Sequence, residues 1–301
     1  VKIALVLNGI SFEKKSFLKK VLPTLRSAGE FEVFETRSKN DAVALASKAV
    51  DKRFDIVVAA GGDGTLHQVV NGVLMGREKH ANLPIVGTYP IGTGNDFARC
   101  IGVKRDPAQF MSLLQKVSAQ YIDVGKVTYT SGEETQYRYF INVADAGMGP
   151  EVVKRVSKNG RPFGTAFAYY EAILATFLFY KPMTVKAKAD TWSWKGKLRT
   201  LAVANGKYYG HGLCIAPEAK PGDGQLETFV CGDVSVVDFV RYSTAMKNNE
   251  VIVHSKVEYN RTATLQLDSE KSCSIEADGE WLGWLPATIE LAPLKLKFLM
   301  P

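Results

Sequence analysis

Asp55-Ile56-Val57-Val58-Ala59-Ala60-Gly61-Gly62-Asp63-Gly64-Thr65-Leu66 is the stretch on which the fold turns. Asp55–Ala60 is a short apolar run of the kind a strand buried on both faces presents, and Gly61-Gly62 stops it. From Leu66 to Met75 a helical reading takes over. Three glycines around one carboxylate therefore link a strand to a helix. Glycine lets phosphate oxygens come close to peptide N–H groups, and the helix start offers its positive end to an anion. Asp63 can face a triphosphate only with a cation between them, so magnesium is implied. A lone Gly-Gly-Asp would read as a tight turn with an Asp cap; the flanking strand and helix favour a phosphate loop. The P-loop pattern is absent.

The same alternation extends outward. Val1–Leu7, Phe31–Thr36 and Pro84–Thr88 read as further strands, and Asn40-Asp41 could cap a helix running to about Val50. Phe17, Leu18, Val21, Leu22 and Leu25 recur with a helical period over Phe12–Ser27, with Pro23 as a kink. Pro90-Ile91-Gly92-Thr93-Gly94-Asn95-Asp96-Phe97 is a second strand–loop–helix junction, and Asp96 could reach the same metal or serve as an ordinary cap. Strands alternating with helices predict a doubly wound, mostly parallel α/β sheet, with both loops at the carboxyl ends of strands, where such sheets bind ligands.

From about Tyr121 the rhythm changes. Val124–Tyr129, Tyr137–Val143, Met183–Ala189, Leu198–Asn205, Leu226–Cys231, Lys256–Leu267 and Cys273–Glu276 read as strands of an antiparallel β domain. Helical patterns interrupt it at Phe163–Tyr180 and Val236–Met246. The expected domains are 1–123 and 124–301, and the alternating Leu294–Leu299 could return as a strand to the first. Phe163–Tyr180 is almost wholly apolar but short for a span and broken by Glu171, so a buried or groove-lining helix is expected.

Two later motifs carry acids. In Ala277-Asp278-Gly279-Glu280 either carboxylate could take a proton from a substrate hydroxyl, although Asp-Gly is also the commonest hairpin signal. In Lys220-Pro221-Gly222-Asp223-Gly224-Gln225, Asp223 could hold a cation with nearby carbonyls, or the run is a surface turn. His211 has no His or Cys at ligand spacing and reads as a loop residue.

The 301 residues carry a formal charge of +7, which favours anionic partners such as phosphates or an acidic membrane face. No nucleic-acid motif and no internal repeat is present. Cys100, Cys214, Cys231 and Cys273 form no Cys-x-x-Cys pair, so free thiols in a reducing cytosol are expected. The chain opens on a strand, and no secretion signal is expected.

Taken together, Gly61–Thr65 followed by Val69-Val70-Asn71-Gly72, Gly92–Arg99, Asp223-Gly224-Gln225-Leu226 and Asp278-Gly279-Glu280 resemble the bacterial diacylglycerol kinase family, relatives of diacylglycerol, sphingosine and ceramide kinases. The resemblance covers essentially the whole chain. It implies an α/β nucleotide domain, a β-rich domain built as an antiparallel sandwich, and an active site in the cleft between them. It implies ATP and Mg2+ as cofactors, with Asp63 and Asp96 organising the metal. Asn8, Thr36, Gly61, Gly62, Gly64, Thr65, Gln68, Gly92, Thr93, Gly94 and Asn95 would surround the nucleotide. Asp278 or Glu280 would be the base, and Asp223 with the Lys220 and Gln225 carbonyls would match a second, structural magnesium site. Asn8-Gly9-Ile10-Ser11-Phe12 stands where the family often has Asn-Pro-x-x-Gly, and Gln68 where it commonly has Glu. The implied partner is a membrane lipid with a free hydroxyl, most simply diacylglycerol, met by a cytoplasmic protein transiently at the inner face of an anionic membrane. An exposed strand could pair two chains as a homodimer. An NAD kinase also uses Gly-Gly-Asp-Gly-Thr but lacks Gly-Thr-Gly-Asn-Asp-Phe; a non-catalytic lipid- or nucleotide-binding regulator is the other alternative.

Overall fold

A computed structural model describes residues 1–38, 40–77, 82–159 and 165–301. The chain divides into two compact units, Val1–Ile122 with Leu294–Pro301, and Asp123–Pro293.

In the first unit β1 (Lys2–Leu7), β2 (Glu30–Glu35), β3 (Ile56–Gly61) and β4 (Ile85–Pro90) are all parallel. The order is β2-β1-β3-β4, and Phe298 near the end of the chain pairs in parallel with Val86 of β4. β3 is buried at every residue, which is why it reads as an unbroken apolar run. The helices Asp41–Asp51 and Asp63–Gly76 pack closely: a methyl group on Gly72 would lie 2.2 Å from the Val43 carbonyl oxygen. The single helix expected over Phe12–Ser27 is instead a broken one, with a π-helical turn at Phe17–Val21 and an α-helical turn at Leu22–Leu25. Pro23 has no N–H to donate, so the ladder changes register there. The helix Pro107–Lys116, capped by the Asp106 side chain on the Ala108 N–H, was not expected, although Phe110, Leu113 and Leu114 recur with a helical period.

The second unit is antiparallel. Its strands are the later part of β5 (Ala119–Ser131), β6 (Glu134–Phe140), β7 (Val143–Gly147), β8 (Met183–Ala189), β9 (Ser193–Ala204), the small β10 (Tyr208–Tyr209) and β11 (Leu213–Cys214), β12 (Leu226–Gly232), β13 (Val257–Thr262), β14 (Thr264–Ser269), β15 (Ser274–Ala277) and the first part of β16 (Glu280–Leu299). Rather than two separate stacked sheets, a barrel-like circuit forms: β9 pairs β7, β7 pairs β15, β15 pairs β16, β16 pairs β14, β14 pairs β8, and β8 returns to β9. β12 and β13 extend the sheet beyond the circuit from β9, and β6 extends it from β5. One face of these strands carries a core of Ala144, Ala146, Val185, Leu201, Val203, Ile275 and Ala277. The other face carries Val143, Ala202, Ala204, Phe229 and Cys231, packed with Met148, Ile173, Phe177 and Met246 from the helices Met148–Asn159, Thr165–Phe179 and Val236–Lys247. The start of the expected Phe163–Tyr180 helix lies outside the described residues. Among the described residues no helix is long and apolar enough to cross a membrane.

Candidate functional site

In the first unit the strand ends are tied to one another by backbone bonds. The Asn8 N–H donates to the Ala60 carbonyl at 2.9 Å, and the Ile91 and Gly92 N–H groups both donate to the Gly61 carbonyl, at 3.0 and 3.1 Å. Side chains lace the same rim. Asn8 Nδ2 donates to Thr65 Oγ1 at 3.3 Å, and the Gly9 N–H donates to Thr36 Oγ1 at 3.0 Å. Gly62, in extended conformation, starts the helix Asp63–Gly76 without a side-chain cap. The start of such a helix is a place where backbone N–H groups favour an anion.

The two glycine loops touch. A methyl group on Gly92 would lie 2.3 Å from Gly62 Cα and 2.8 Å from its nitrogen. Asp63 Oδ1 accepts the Phe97 N–H at 3.3 Å, so the first loop's carboxylate caps the short helix Asp96–Cys100 of the second. Asn95 adopts a left-handed backbone (φ 55°) and donates Nδ2 to the Gly92 carbonyl at 2.8 Å; its buried Oδ1 has no hydrogen-bond partner among the described residues. Asp96 is buried beside it, whereas Thr93 is exposed. Asn8, Thr36, Gly61 to Thr65, Gly92, Asn95 and Asp96 are therefore gathered at one end of the parallel strands. Gln68 follows one turn into the helix from Gly64.

In the second unit Asp278 and Gly279 are the two central residues of a tight hairpin turn between β15 and β16, both with positive φ (48° and 83°). The turn and the chemistry coexist. Asp278 accepts three backbone N–H groups: Ile141 at 3.1 Å on Oδ2, and Asn142 and Val143 each at 3.0 Å on Oδ1. This explains why the strand expected over Tyr137–Val143 breaks: its amides turn aside to the carboxylate. Glu280 is the first residue of β16, half-buried. Asp223 sits on an exposed loop, where Oδ1 accepts the Gln225 N–H at 3.1 Å and its own N–H donates to the Lys220 carbonyl at 3.3 Å. The Gly224 N–H donates to Asp123 Oδ2 at 2.7 Å, anchoring the loop. The acceptors here, the Asp223 and Asp123 carboxylates and the Lys220 carbonyl, are all oxygens, the ligand type a hard cation takes. Among the described residues no group of three or more His, Cys, Asp or Glu is gathered for a metal.

Two acids were missed by the sequence reading. Asp145 and Glu276 are directly opposite in the β7–β15 pair and are 0% and 3% exposed. Burial pushes the Asp145 carboxyl up to about 7. Burial first, then the charge of Asp145, holds Glu276 well above the usual carboxylate range. Their only signal is an acid inside an apolar run, Val143-Ala144-Asp145-Ala146 and Ser274-Ile275-Glu276-Ala277. On the same face a cavity of about 70 Å³ is lined by Met148, Gly149, Ile173, Phe177, Phe239 and Met246 among others. Arg199, 7% exposed, forms part of its wall: Nη1 donates to the Phe177 and Tyr180 carbonyls at 3.3 and 3.1 Å, and Nη2 to Asp233 at 2.8 Å. Cys214, Cys231 and Cys273 are buried and form no disulfide among the described residues.

Comparison with known proteins agrees with this two-unit architecture. Residues 2–127 match the diacylglycerol kinase catalytic domain, and residues 142–300 match the YegS C-terminal NAD kinase beta sandwich-like domain. A diacylglycerol kinase of Bacillus subtilis is 28% identical over 274 residues, 90% of this chain and 86% of its own. A Xanthomonas euvesicatoria protein named "Probable lipid kinase YegS-like" is 27% identical over 298 residues, 98% of this chain and 95% of its own. The crystal structure of a diacylglycerol kinase from Bacillus anthracis superposes with a TM-score of 0.74 at 21% identity, covering 100% of this chain and 97% of that one. The paired domain matches, running through both glycine loops and the Asp-Gly-Glu hairpin, place the chain in the bacterial diacylglycerol kinase family of lipid kinases.

Proposed function

We propose that the protein transfers the γ-phosphate of ATP to a lipid hydroxyl, with diacylglycerol as an acceptor and phosphatidic acid as its product. The observation that carries this reading is the contact of the Gly62 and Gly92 loops, cross-linked by Asp63 at the ends of parallel strands, with the start of the helix Asp63–Gly76 beside them. Glycine loops at the start of a helix suit a polyphosphate. Asn8, Thr36 and Thr65 would border the same nucleotide, with Thr93, Gly94 and Gln68 close by. Magnesium, when bound, would neutralise phosphate charge; Asp63 and Asp96 are the carboxylates that would hold it, and Asp223 with the Lys220 and Gln225 carbonyls would hold a second, structural ion.

The acceptor belongs to the second unit. Asp278 is committed to three amides and acts as the positioning residue of its turn, which leaves Glu280 as the general base. Glu280 would take the proton of the lipid hydroxyl. The oxygen would attack the γ-phosphorus, the bond to the β,γ-bridging oxygen would break, and ADP would leave. The apolar cavity beside Ile173, Phe177 and Phe239 would take the acyl tail, the helices parting to admit its length. Work at the inner face of an anionic membrane fits the charge of +7.

The test is transfer of labelled γ-phosphate from ATP–Mg2+ to diacylglycerol in mixed micelles. Asp63→Ala should abolish label incorporation while far-UV circular dichroism stays native. Near-normal turnover by the folded variant would sink the reading.

A further inference from the structure

The helix Val236–Lys247 turns Phe239, Tyr242 and Met246 to the apolar cavity, and its opposite side shows Val237, Val240, Arg241 and Thr244 to solvent. The outward side of a surface helix is ordinarily polar. Here Val237 is 71% exposed and Val240 51%. Two further segments repeat the pattern. At the end of the helix Thr165–Phe179, Phe177 is buried at the cavity while Leu178 and Phe179 are 68% and 76% exposed. In Val251-Ile252-Val253 the middle residue lines the cavity and both neighbours are exposed.

The three segments adjoin. In the β9–β12 pair Thr200 faces Cys231 and Leu198 faces Gly232, so Arg199 is the extra residue of a bulge, the device that re-aims a side chain. Its Nη1 donates to the Phe177 and Tyr180 carbonyls, and Nη2 donates to the Val234 carbonyl at 3.0 Å, which joins the end of one helix to the approach of the other. The Phe177 and Phe239 rings lie 5.3 Å apart. Tyr242 Oη donates to the Val253 carbonyl at 3.0 Å, and His254 Nε2 lies 3.9 Å from Asp238 Oδ1. The exposed apolar side chains therefore belong to the outer side of the same segments whose inner residues wall the cavity.

A cation follows each apolar group closely: Lys181 after Phe179, Arg241 after Val240, Lys256 after Val253. The acids among them are engaged locally. Asp238 Oδ2 accepts the Ser235 N–H at 2.9 Å as part of its own helix cap, and Glu250 accepts Asn248 Nδ2 at 3.3 Å. A phospholipid bilayer matches this order, with hydrocarbon for the apolar side chains and phosphates at the level that Lys and Arg heads reach. A second copy docked on the same face would set these cations against like cations. An acyl-tail cavity has its own reason to adjoin hydrocarbon, because a chain leaves a bilayer for water at a cost that grows with every methylene.

Resting on the lipid-kinase reading of the cavity, we propose that Leu178, Phe179, Val237, Val240, Val251 and Val253 form a face that inserts into the bilayer. Docking is then held by hydrocarbon contact and persists where headgroup charge is absent or screened.

The test is sedimentation of the full chain with phosphatidylcholine vesicles, and with vesicles that also contain an anionic phospholipid, in low and high salt. Binding to the neutral vesicles should survive high salt. The double variant Leu178→Ser, Phe179→Ser should bind both kinds of vesicle at least about tenfold more weakly, the scale expected when exposed side chains lose an apolar environment. Its melting temperature should stay native, since neither side chain is buried. Phe179→Trp should show blue-shifted emission with vesicles, quenched by phospholipids brominated on their acyl chains. Binding confined to anionic vesicles and lost in high salt, or full binding by the double variant, overturns the face. So does a concentration-dependent dimer of the wild-type chain that the double variant abolishes, which would give the face to a second copy. Vesicle binding needs no ATP, so it decides the face even where phosphoryl transfer, and with it the kinase reading, fails.

Discussion

Gly92 and Gly279 each sit beside an acid loop, and a methyl group placed on each meets a different obstacle. At Gly92 it would strike the backbone of Gly62 at 2.3 Å, so glycine is required by the approach of two loops. At Gly279 nothing lies within 4 Å, and glycine is required only by a backbone torsion of 83°. The first is a requirement of packing, shared by two loops; the second is local to one turn. Damage should therefore spread across the proposed nucleotide rim in one case and stay within the hairpin in the other.

The sharpest way to break this contrast lies beside the second glycine. Glu280→Gln should lower turnover by roughly two to four orders of magnitude, the usual worth of a general base, with little change in melting temperature. Asp278→Ala should instead lose stability, by about 1–3 kcal/mol in urea titration, because three amides lose their acceptor. If Asp278→Ala kept full stability and Glu280→Gln full turnover, the assigned roles would be reversed. Next in size, Gly92→Ala should raise the KM for ATP by more than about tenfold and cost about 1–3 kcal/mol, the range for overpacking; unchanged ATP kinetics would mean that the loop contact does not shape the site.

A smaller effect is set by pH. Asp145 goes from an unfolded value of 3.8 to about 7 in the fold. A carboxyl with a raised folded value holds its proton more tightly in the native state. The stability it confers is therefore complete below about pH 4 and withdrawn as pH rises to about 7. Asp145→Asn should accordingly gain on the wild type between pH 5 and pH 8, by on the order of 1–3 kcal/mol in chemical unfolding. A pH-independent difference would show that Asp145 is charged throughout. Smallest of all, Gly279→Ala should cost only about 1 kcal/mol, the strain of one left-handed residue, visible as a modest drop in melting temperature.

The two glycine loops were legible as strand–loop–helix junctions because their requirements are local. Glycines at strand ends and Asp63 at a helix start are each decided within a few residues of sequence. The Met183–Ala189 strand was read with its observed bounds for the same reason, an alternating apolar pattern between clear turns. What failed depended on distant partners. The expected Lys256–Leu267 strand is two, parted at Ala263, where Thr262 Oγ1 binds the Thr264 backbone. The helix Met148–Asn159 was missed because Gly149-Pro150 reads as a break, although proline is tolerated in a first turn. The barrel circuit cannot be read from any single strand. Asp145 and Glu276 were passed over because their significance comes only from pairing across β7 and β15.

β16 has a consequence for how the protein is made. Phe298 is fully buried, packs edge-on against Phe97 with centroids 5.4 Å apart, and lies beside β4 in the first unit. Leu299 sits under Gly87, and the Met300 N–H donates to the Ser118 carbonyl at 3.1 Å. These residues leave the ribosome only after every residue of the second unit has been synthesised. The amino-terminal half is therefore first to be translated and last to be finished: its β4 edge and the Phe97 pocket wait, open, for residues 294–301. A nascent chain in that interval carries an exposed parallel edge, the kind of surface on which chaperones act and aggregates begin.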